Sequence, residues 1–366
     1  MRFTINRDML LKPLQQVCGV VERRQTLPIL SHVLLSLKNE VLTIKATDLE
    51  VEMVALTPLK IADQGETTLP ARKFLDICRA LPESADIKIS VEKTKAILQA
   101  GKSRFTLAVL PANEFPTIDV DQDALTFSMA QKDLKHLIEK THFAMAQQDV
   151  RYYLNGLMLE LSDKRIRAVA TDGHRLAMSD AKVDLSSPEV QQVIVPRKGI
   201  QELLRLLEDS EDTASIKVGN NHATVEMGDI TFISKLIDGR FPDYQRVLPA
   251  GGDKFLVSNR EELKQAFTRT SILSNEKYRG IRLQMAGNQL RVMANNPEQE
   301  EAEEELDIEY TGDDLEIGFN VSYMIDAISA IETEKVKILF TDANSSCLIH
   351  AVDNEDSQYV VMPMRI

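Results

Sequence analysis

One arrangement of landmarks recurs three times along this 366-residue chain, and that recurrence limits the fold more than any other feature. An alternating run, a polar capping residue and an amphipathic helical pattern come together at RFTINRDMLLKPLQQV from residue 2. They return at TFSMAQKDLKHLIEKT from residue 126 and at KFLVSNREELKQAFTR from residue 254. Leu10 with Leu14, Leu134 with Leu137, and Leu263 with Phe267 mark the apolar stripes. Each copy continues into a strand-like run with a short polar ending: IKATDLE, RAVATDGH or RVMANNPE. Within these runs Ala46, Ala170 and Ala294 are spaced 124 and 124 apart. A second helical pattern follows at PARKFLDICRAL, PRKGIQELLRLL and NVSYMIDAISAI, and then more alternating strands. The first two copies close on NEFPTID and GRFPDYQ, with Phe115 and Phe241 126 apart.

The chain therefore reads as α+β: three tandem copies of a two-helix, multi-strand module. A single core rarely grows past about 250–300 residues, so a multi-domain chain is expected on length alone. The expected domains are 1–122, 123–250 and 251–366, with linkers at DQDAL (121–125) and PAGGD (249–253). Two helices can cover only one face of a sheet. Modules in series can join their sheets edge to edge, which removes exposed edges. Head-to-tail association then either closes into a ring or runs on as a filament.

The net charge is −13, which alone argues against a polyanionic partner. Its distribution argues otherwise. Helices expected over 7–24, 71–81, 130–142, 197–207, 259–269 and 321–331 carry 16 Lys and Arg against 9 Asp and Glu, leaving −20 on the rest of the chain. The pattern suggests a basic lining within an acidic shell, which would draw a polyanion past the helices and repel it elsewhere.

The sequence also excludes several classes. No apolar run approaches the roughly 20 residues that span a bilayer, and the N-terminus lacks a signal-peptide core. Cys18, Cys78 and Cys347 are odd in number and far apart, which fits a reducing cytoplasmic setting without disulfides or zinc spacing. No cofactor or metal is expected. TDGH at 171–174 raises the question of a hydrolase using Asp172 and His174. However, no Gly-rich phosphate loop, HExxH or G-x-S-x-G accompanies it. The counterpart TDLE lacks the Gly-His pair, so a repeated turn is the simpler reading, with Gly after Asp suiting a tight bend. A peptide-binding scaffold that never meets DNA is the other alternative.

Several long runs decide between these readings. TLPARKF, DVRYYLNG, VATDGHRLA, LIDGRFPDY, LSNEKYRG, NNPEQEEAEE, GFNVSY and YVVMPMRI closely resemble the bacterial DNA polymerase III beta-subunit family of sliding clamps, from Phe3 to Ile366. The resemblance implies the DNA clamp fold: a head-to-tail homodimeric ring with helices inside and sheets outside. Such a ring encircles duplex DNA without reading its sequence and tethers the replicative polymerase. It has no catalytic activity of its own. The implied partners are the DNA polymerase III alpha subunit, the clamp loader, and other polymerases and repair proteins that bring short peptide motifs.

The resemblance also implies residue roles. A partner-peptide cleft between the second and third domains would take Leu154, Thr171, Gly173, His174, Arg175 and Leu176 from the second. Pro242, Arg246 and Val247 would follow from its exit, and Asn320, Tyr323, Ser346, Val360, Met362, Pro363, Met364 and Arg365 from the third. The residue types agree. Met362 and Met364 offer adaptable apolar surface, Val247, Leu176 and Val360 suit pocket walls, and Arg175 and Arg365 suit a rim. Pro363 makes the terminal run a poor inner strand, so an accessible groove is expected there. For DNA, the matching positions are Arg24, Gln148, Tyr152 and Tyr153; Arg24 would meet phosphate, and Tyr152 and Tyr153 could stack on a single strand. Lys198 and Arg197 would join Arg72 and Lys12 in the lining. Where the family often has Gly or Pro, this chain has VVERRQ (20–25). For dimerisation, Lys73, Lys102 and Arg104 could pair with Glu298, Glu301 and Glu304 of a second copy, around an apolar part made by Phe105, Leu107, Ile272 and Leu273.

Overall fold

The computed structural model describes residues 1–22, 27–60, 62–118, 124–185, 189–249, 251 and 253–365. Arg24, most of DQDAL, and parts of VVERRQ and PAGGD lie outside the described residues. The chain forms two compact units, one of Met1–Leu134 with Lys198–Leu236, the other of Lys135–Arg197 with Ile237–Ile366. Among the described residues no helix is long and apolar enough to cross a membrane.

Among the described residues six α-helices form where the apolar spacing predicts them: α1 (Arg7–Val17), α2 (Ala71–Ala80), α3 (Gln131–Glu139), α4 (Arg197–Leu206), α5 (Arg260–Thr270) and α6 (Val321–Ser329). Asparagine side chains start three of them. Asn6 accepts from the Asp8 amide, Asn259 from Glu261 and Glu262, and Asn320 from Ser322 and Tyr323, satisfying donors a helix start leaves open. The first helix is shorter than the expected 7–24. It tightens into a 3-10 turn at Cys18–Val20, where Gly19 lets the Arg205 guanidinium approach so closely that any side chain would collide with it. Over the helices as folded, Lys and Arg outnumber Asp and Glu by 13 to 8, so the basic bias survives but is smaller.

In the first unit, an eight-stranded antiparallel sheet takes four strands from each of the first two repeats. Strand Ile230–Lys235 pairs with Val51–Pro58 at the junction, in a register running from Ile230 opposite Ala55 to Ser234 opposite Val51. In the second unit, a nine-stranded sheet is joined in the same way. Strand Arg175–Lys182 pairs with Ser357–Val361, from Arg175 opposite Val361 to Ser179 opposite Ser357. Edge-to-edge joining of modules is thus how both junctions are built.

Two smaller sheets end on open edges. The five-stranded sheet of the first unit ends at Ser103–Ala108, and the four-stranded sheet of the second at Glu301–Asp307. The latter alternates exposed and half-buried positions with no fully buried residue, as suits an edge.

Candidate functional site

The turn after strand Arg165–Thr171 is built by its own polar side chains. Thr171 Oγ1 donates to the Arg175 carbonyl at 2.6 Å and accepts from the Gly173 amide at 3.1 Å. Asp172 Oδ1 accepts from the amides of His174 and Arg175 at 2.9 and 3.1 Å. Gly173 sits at φ 89°, which is open to glycine and costly for other residues. The turn of the first repeat is the same object. Thr47 donates to the Val51 carbonyl at 2.9 Å and accepts from Leu49 at 3.0 Å, and Asp48 accepts from Glu50 and Val51 at 2.9 and 2.7 Å. In both, aspartate acts as a backbone cap. In the third repeat, Asn296 instead accepts from the Glu300 amide at 2.9 Å, so the turn is rebuilt.

Beside the 171–175 turn lies a 160 Å³ pocket. Its lining includes eight of the expected cleft residues from the second repeat and its exit (Leu154, Thr171, Gly173, His174, Arg175, Leu176, Pro242, Val247), together with Val360 and Met362 from the third. Arg151 and Tyr244 also line it, and neither is assigned to it by sequence reasoning. For Tyr244 a signal exists in the repeated GRFPDYQ exit, where an aromatic follows the buried Phe241. The pocket opens over a continuous core made by Leu154, Met158, Val169, Leu176, Phe241, Tyr244 and Val360, among others. A volume below the roughly 300–1,000 Å³ of small-molecule sites suits one or two side chains of a bound peptide better than a cofactor. A wider 630 Å³ hollow in the first unit is lined by Asp8, Lys12, Glu208, Asp212 and Asp229 among apolar groups.

Strand Ser357–Val361 differs from expectation. It is an inner strand, with Tyr359, Val360 and Val361 buried, because pairing stops before Pro363 is reached. The accessible part lies just beyond it. Met362 is exposed, and its amide donates to the His174 carbonyl at 2.9 Å. Met364 is half-buried, and its amide donates to the Gly318 carbonyl at 2.7 Å.

Arg175 is not a free rim residue either. Its guanidinium meets Asp172 at 3.1 Å, Asp326 at 2.5 Å and the Phe143 carbonyl at 2.7 Å, and stacks over Tyr323 at 4.5 Å. Burial, and next the negative charge of Asp172, push the Tyr323 hydroxyl above its ordinary range. Tyr323, Asn320, Ser346, Arg246, Pro363, Met364 and Arg365 fall outside the pocket lining. Asn320 is occupied as the α6 cap, Arg246 is exposed and paired with Asp243 at 2.8 Å, and Arg365 is exposed.

Next to the pocket, the 148–153 loop exposes Gln148, Val150 and Tyr152, while Tyr153 packs edge-on beneath Tyr152 at 5.7 Å and joins the core. Only Tyr152 of the pair is open for stacking. Arg151 grips both Asp149 oxygens at 2.8 and 3.0 Å, and its side-chain and backbone hydrogen bonds hold the Asp149 carboxyl down at about 2. The expected lining cations are engaged. Lys198 bridges Glu22 and Asp48, Arg197 donates to the Met145 carbonyl at 3.0 Å, Arg72 to that of Val21 at 2.9 Å, and Lys12 meets Glu208 at 3.3 Å.

Lys73 on α2 is exposed; at the open edge Lys102 and Arg104 are exposed and Phe105 is half-buried, but Leu107 is already buried within its own sheet. Ile272 is 74% exposed and Leu273 half-buried. Glu298 and Glu301 are exposed, whereas Glu304 is held at 2.6 and 2.9 Å by Arg269, which lowers its carboxyl pKa.

Comparison with known proteins gives a consistent answer along the whole chain. Residues 1–119 match the N-terminal domain of the DNA polymerase III beta subunit, 128–243 its central domain and 245–365 its C-terminal domain. A beta sliding clamp from Pseudomonas aeruginosa is 57% identical and one from Escherichia coli 50% identical, each over 100% of both chains. The crystal structure of the DNA polymerase III subunit beta from Pseudomonas aeruginosa matches with a TM-score of 0.98 at 57% identity, over 100% of both chains. A sliding clamp from the same species bound to griselimycin matches at 0.97 and 57%, again over 100% of both.

Proposed function

The chain belongs to the DNA polymerase III beta-subunit family, the sliding clamps of DNA replication, and from that membership we propose that it acts as a homodimeric ring that encircles duplex DNA and holds the replicative polymerase on it. The full-length match of three consecutive clamp domains carries this reading. The proposed domains are 1–122, 123–250 and 251–366.

The ring closes head to tail. The open strand Ser103–Ala108 of one copy meets Glu301–Asp307 of the other. Lys102 and Arg104 face Glu298 and Glu301, and Ile272 supplies the exposed apolar contact. The charges steer orientation more than they add affinity. Glu304 keeps Arg269 as its partner, and Leu107 supports the edge from within.

The ring works topologically, as a processivity factor in the cytoplasm and not as a catalyst. Asp172 is spent on a turn and on Arg175, so its carboxylate is not free to act as a base. DNA contacts are modest and sequence-independent. Each additional phosphate contact would steepen the salt dependence and slow sliding. Tyr152 and Gln148 are the contacts the surface offers, with Arg24 as a further candidate. The pocket beside Gly173 and Met362 receives short peptide segments of the polymerase alpha subunit, the clamp loader and other polymerases and repair proteins. An apolar floor and an adaptable Met362 suit several related side chains.

The test is retention on DNA. The protein is loaded onto nicked circular duplex by a clamp loader with ATP, isolated with its DNA, and the circle is cut once. Release on cutting supports the ring. An unchanged lifetime on linear DNA would show an ordinary phosphate binder, and failure to load would leave a peptide scaffold.

A further inference from the structure

The 171–175 turn and the 47–51 turn are alike in side-chain hydrogen bonding, and the likeness extends to what surrounds them. The Met362 amide reaches the His174 carbonyl at 2.9 Å, and the Lys235 amide reaches the Glu50 carbonyl at 2.8 Å. Each residue follows the last pair of its junction ladder, Arg175 with Val361 and Val51 with Ser234. Lys235 therefore stands where Met362 stands. His222, paired with Lys235 across the neighbouring ladder, stands where Ser346 does. Pro116, one residue after buried Phe115, corresponds to Pro242 after buried Phe241.

A 210 Å³ cavity lies at this second location, wholly within the first unit. It is lined by Thr47, Leu49, Pro116, Thr117, Ile118, His222 and Lys235. Three observations mark it as more than a relic. Leu49 sits at φ 79°, where a branched residue is strained, and it is an exposed large apolar side chain. Both ring nitrogens of His222 are shielded from solvent without a hydrogen-bond partner among the described residues. The Lys235 side chain is exposed and has no in-chain ion pair among the described residues.

We infer that this cavity is a second peptide-docking site, for an extended segment that places an apolar side chain beside a carboxylate. The apolar chain packs on Leu49, Pro116 and Ile118. The carboxylate meets the Lys235 ammonium, and His222 gains the partner it lacks. Where the first pocket has Gly173 and Met362, this one has Leu49 and Lys235, and His222 joins its wall where the corresponding Ser346 stays outside the first. The two pockets therefore share a backbone frame but differ in charge, and so select different segments. The inference does not depend on DNA binding.

The test uses the full-length protein with 13C-labelled Leu, Ile and Val methyl groups and the probe acetyl-Leu-Glu-Leu-amide. Saturable shifts are expected at the Leu49 and Ile118 methyls. Lys235→Ala, or the probe acetyl-Leu-Gln-Leu-amide, is expected to raise the apparent Kd about two- to fivefold, the loss of one exposed charge pair. Leu49→Gly should abolish the Ile118 shift while keeping the fold, since glycine accepts that backbone angle. Shifts confined to Leu176, Val247 and Val360 would overturn the inference. So would Leu49 shifts indifferent to Lys235→Ala, or an Ile118 shift that survives Leu49→Gly.

Discussion

The Arg175 guanidinium lies 4.5 Å from the centre of the Tyr323 ring and 2.5 Å from an Asp326 oxygen, tying the turn of the second repeat to the helix α6 of the third. One side chain thus ties the pocket wall at Arg175 to α6. Arg175→Ala leaves Asp172, Asp326 and the Phe143 carbonyl short of a donor. The expected cost is about 2–4 kcal/mol, read as a lower urea midpoint at unchanged slope. Arg175→Lys should recover only part of it, because an ammonium cannot span three acceptors and stack at once.

The paired turns give a prediction of opposite signs. Gly173→Ala forces an alanine to φ 89° and brings its Cβ to 2.9 Å from the Arg151 guanidinium. It should destabilise by about 1–2 kcal/mol and weaken peptide binding at that pocket. Leu49→Gly, at φ 79°, should leave the thermal midpoint unchanged or raise it. Calorimetry on the two variants checks both.

The dimer seam rests on few apolar atoms. Ile272→Ala combined with Leu273→Ala should yield monomers, since Ile272 is the large apolar group the chain leaves in water there. Sedimentation equilibrium decides it, and an unchanged dimer mass would sink the proposed seam.

The three thiols supply a pH dependence. Burial pushes Cys18, Cys78 and Cys347 each up to about 12 from the ordinary 9.0. The native protein should therefore resist thiol reagents at pH 8 and yield three reactive thiols once denatured. Because the folded values are raised, this contribution to stability is complete below pH 9.0 and is lost as pH climbs towards about 12. A urea midpoint that stayed flat across that window would contradict it.

Much of this is legible in the sequence because it is local or periodic. Asn6, Asn259 and Asn320 announce helix starts, the 124-residue spacing of the alanines announces the repeat, and Asp172 with Gly173 announces a turn. What is not legible depends on groups distant in sequence or on where pairing ends. Lys198 looks like a free cation until the fold brings Glu22, 176 positions away, to its side. Nothing in the sequence marks Arg151 as pocket wall; the fold places it there, held by Asp149. The terminal strand reads as an outer one only if Pro363 stands inside the ladder, and pairing ends at Val361.

The two junction ladders carry one more consequence. The peptide chain passes from the second repeat to the third once, near residue 250, whereas the ladder between Arg175–Lys182 and Ser357–Val361 joins them at five residue pairs. The backbone link there is mechanically redundant. A protease cut near residue 250 should leave a nicked particle that sediments and melts as the intact one does. The two pieces should part only under denaturant, as a non-covalent complex written on one gene.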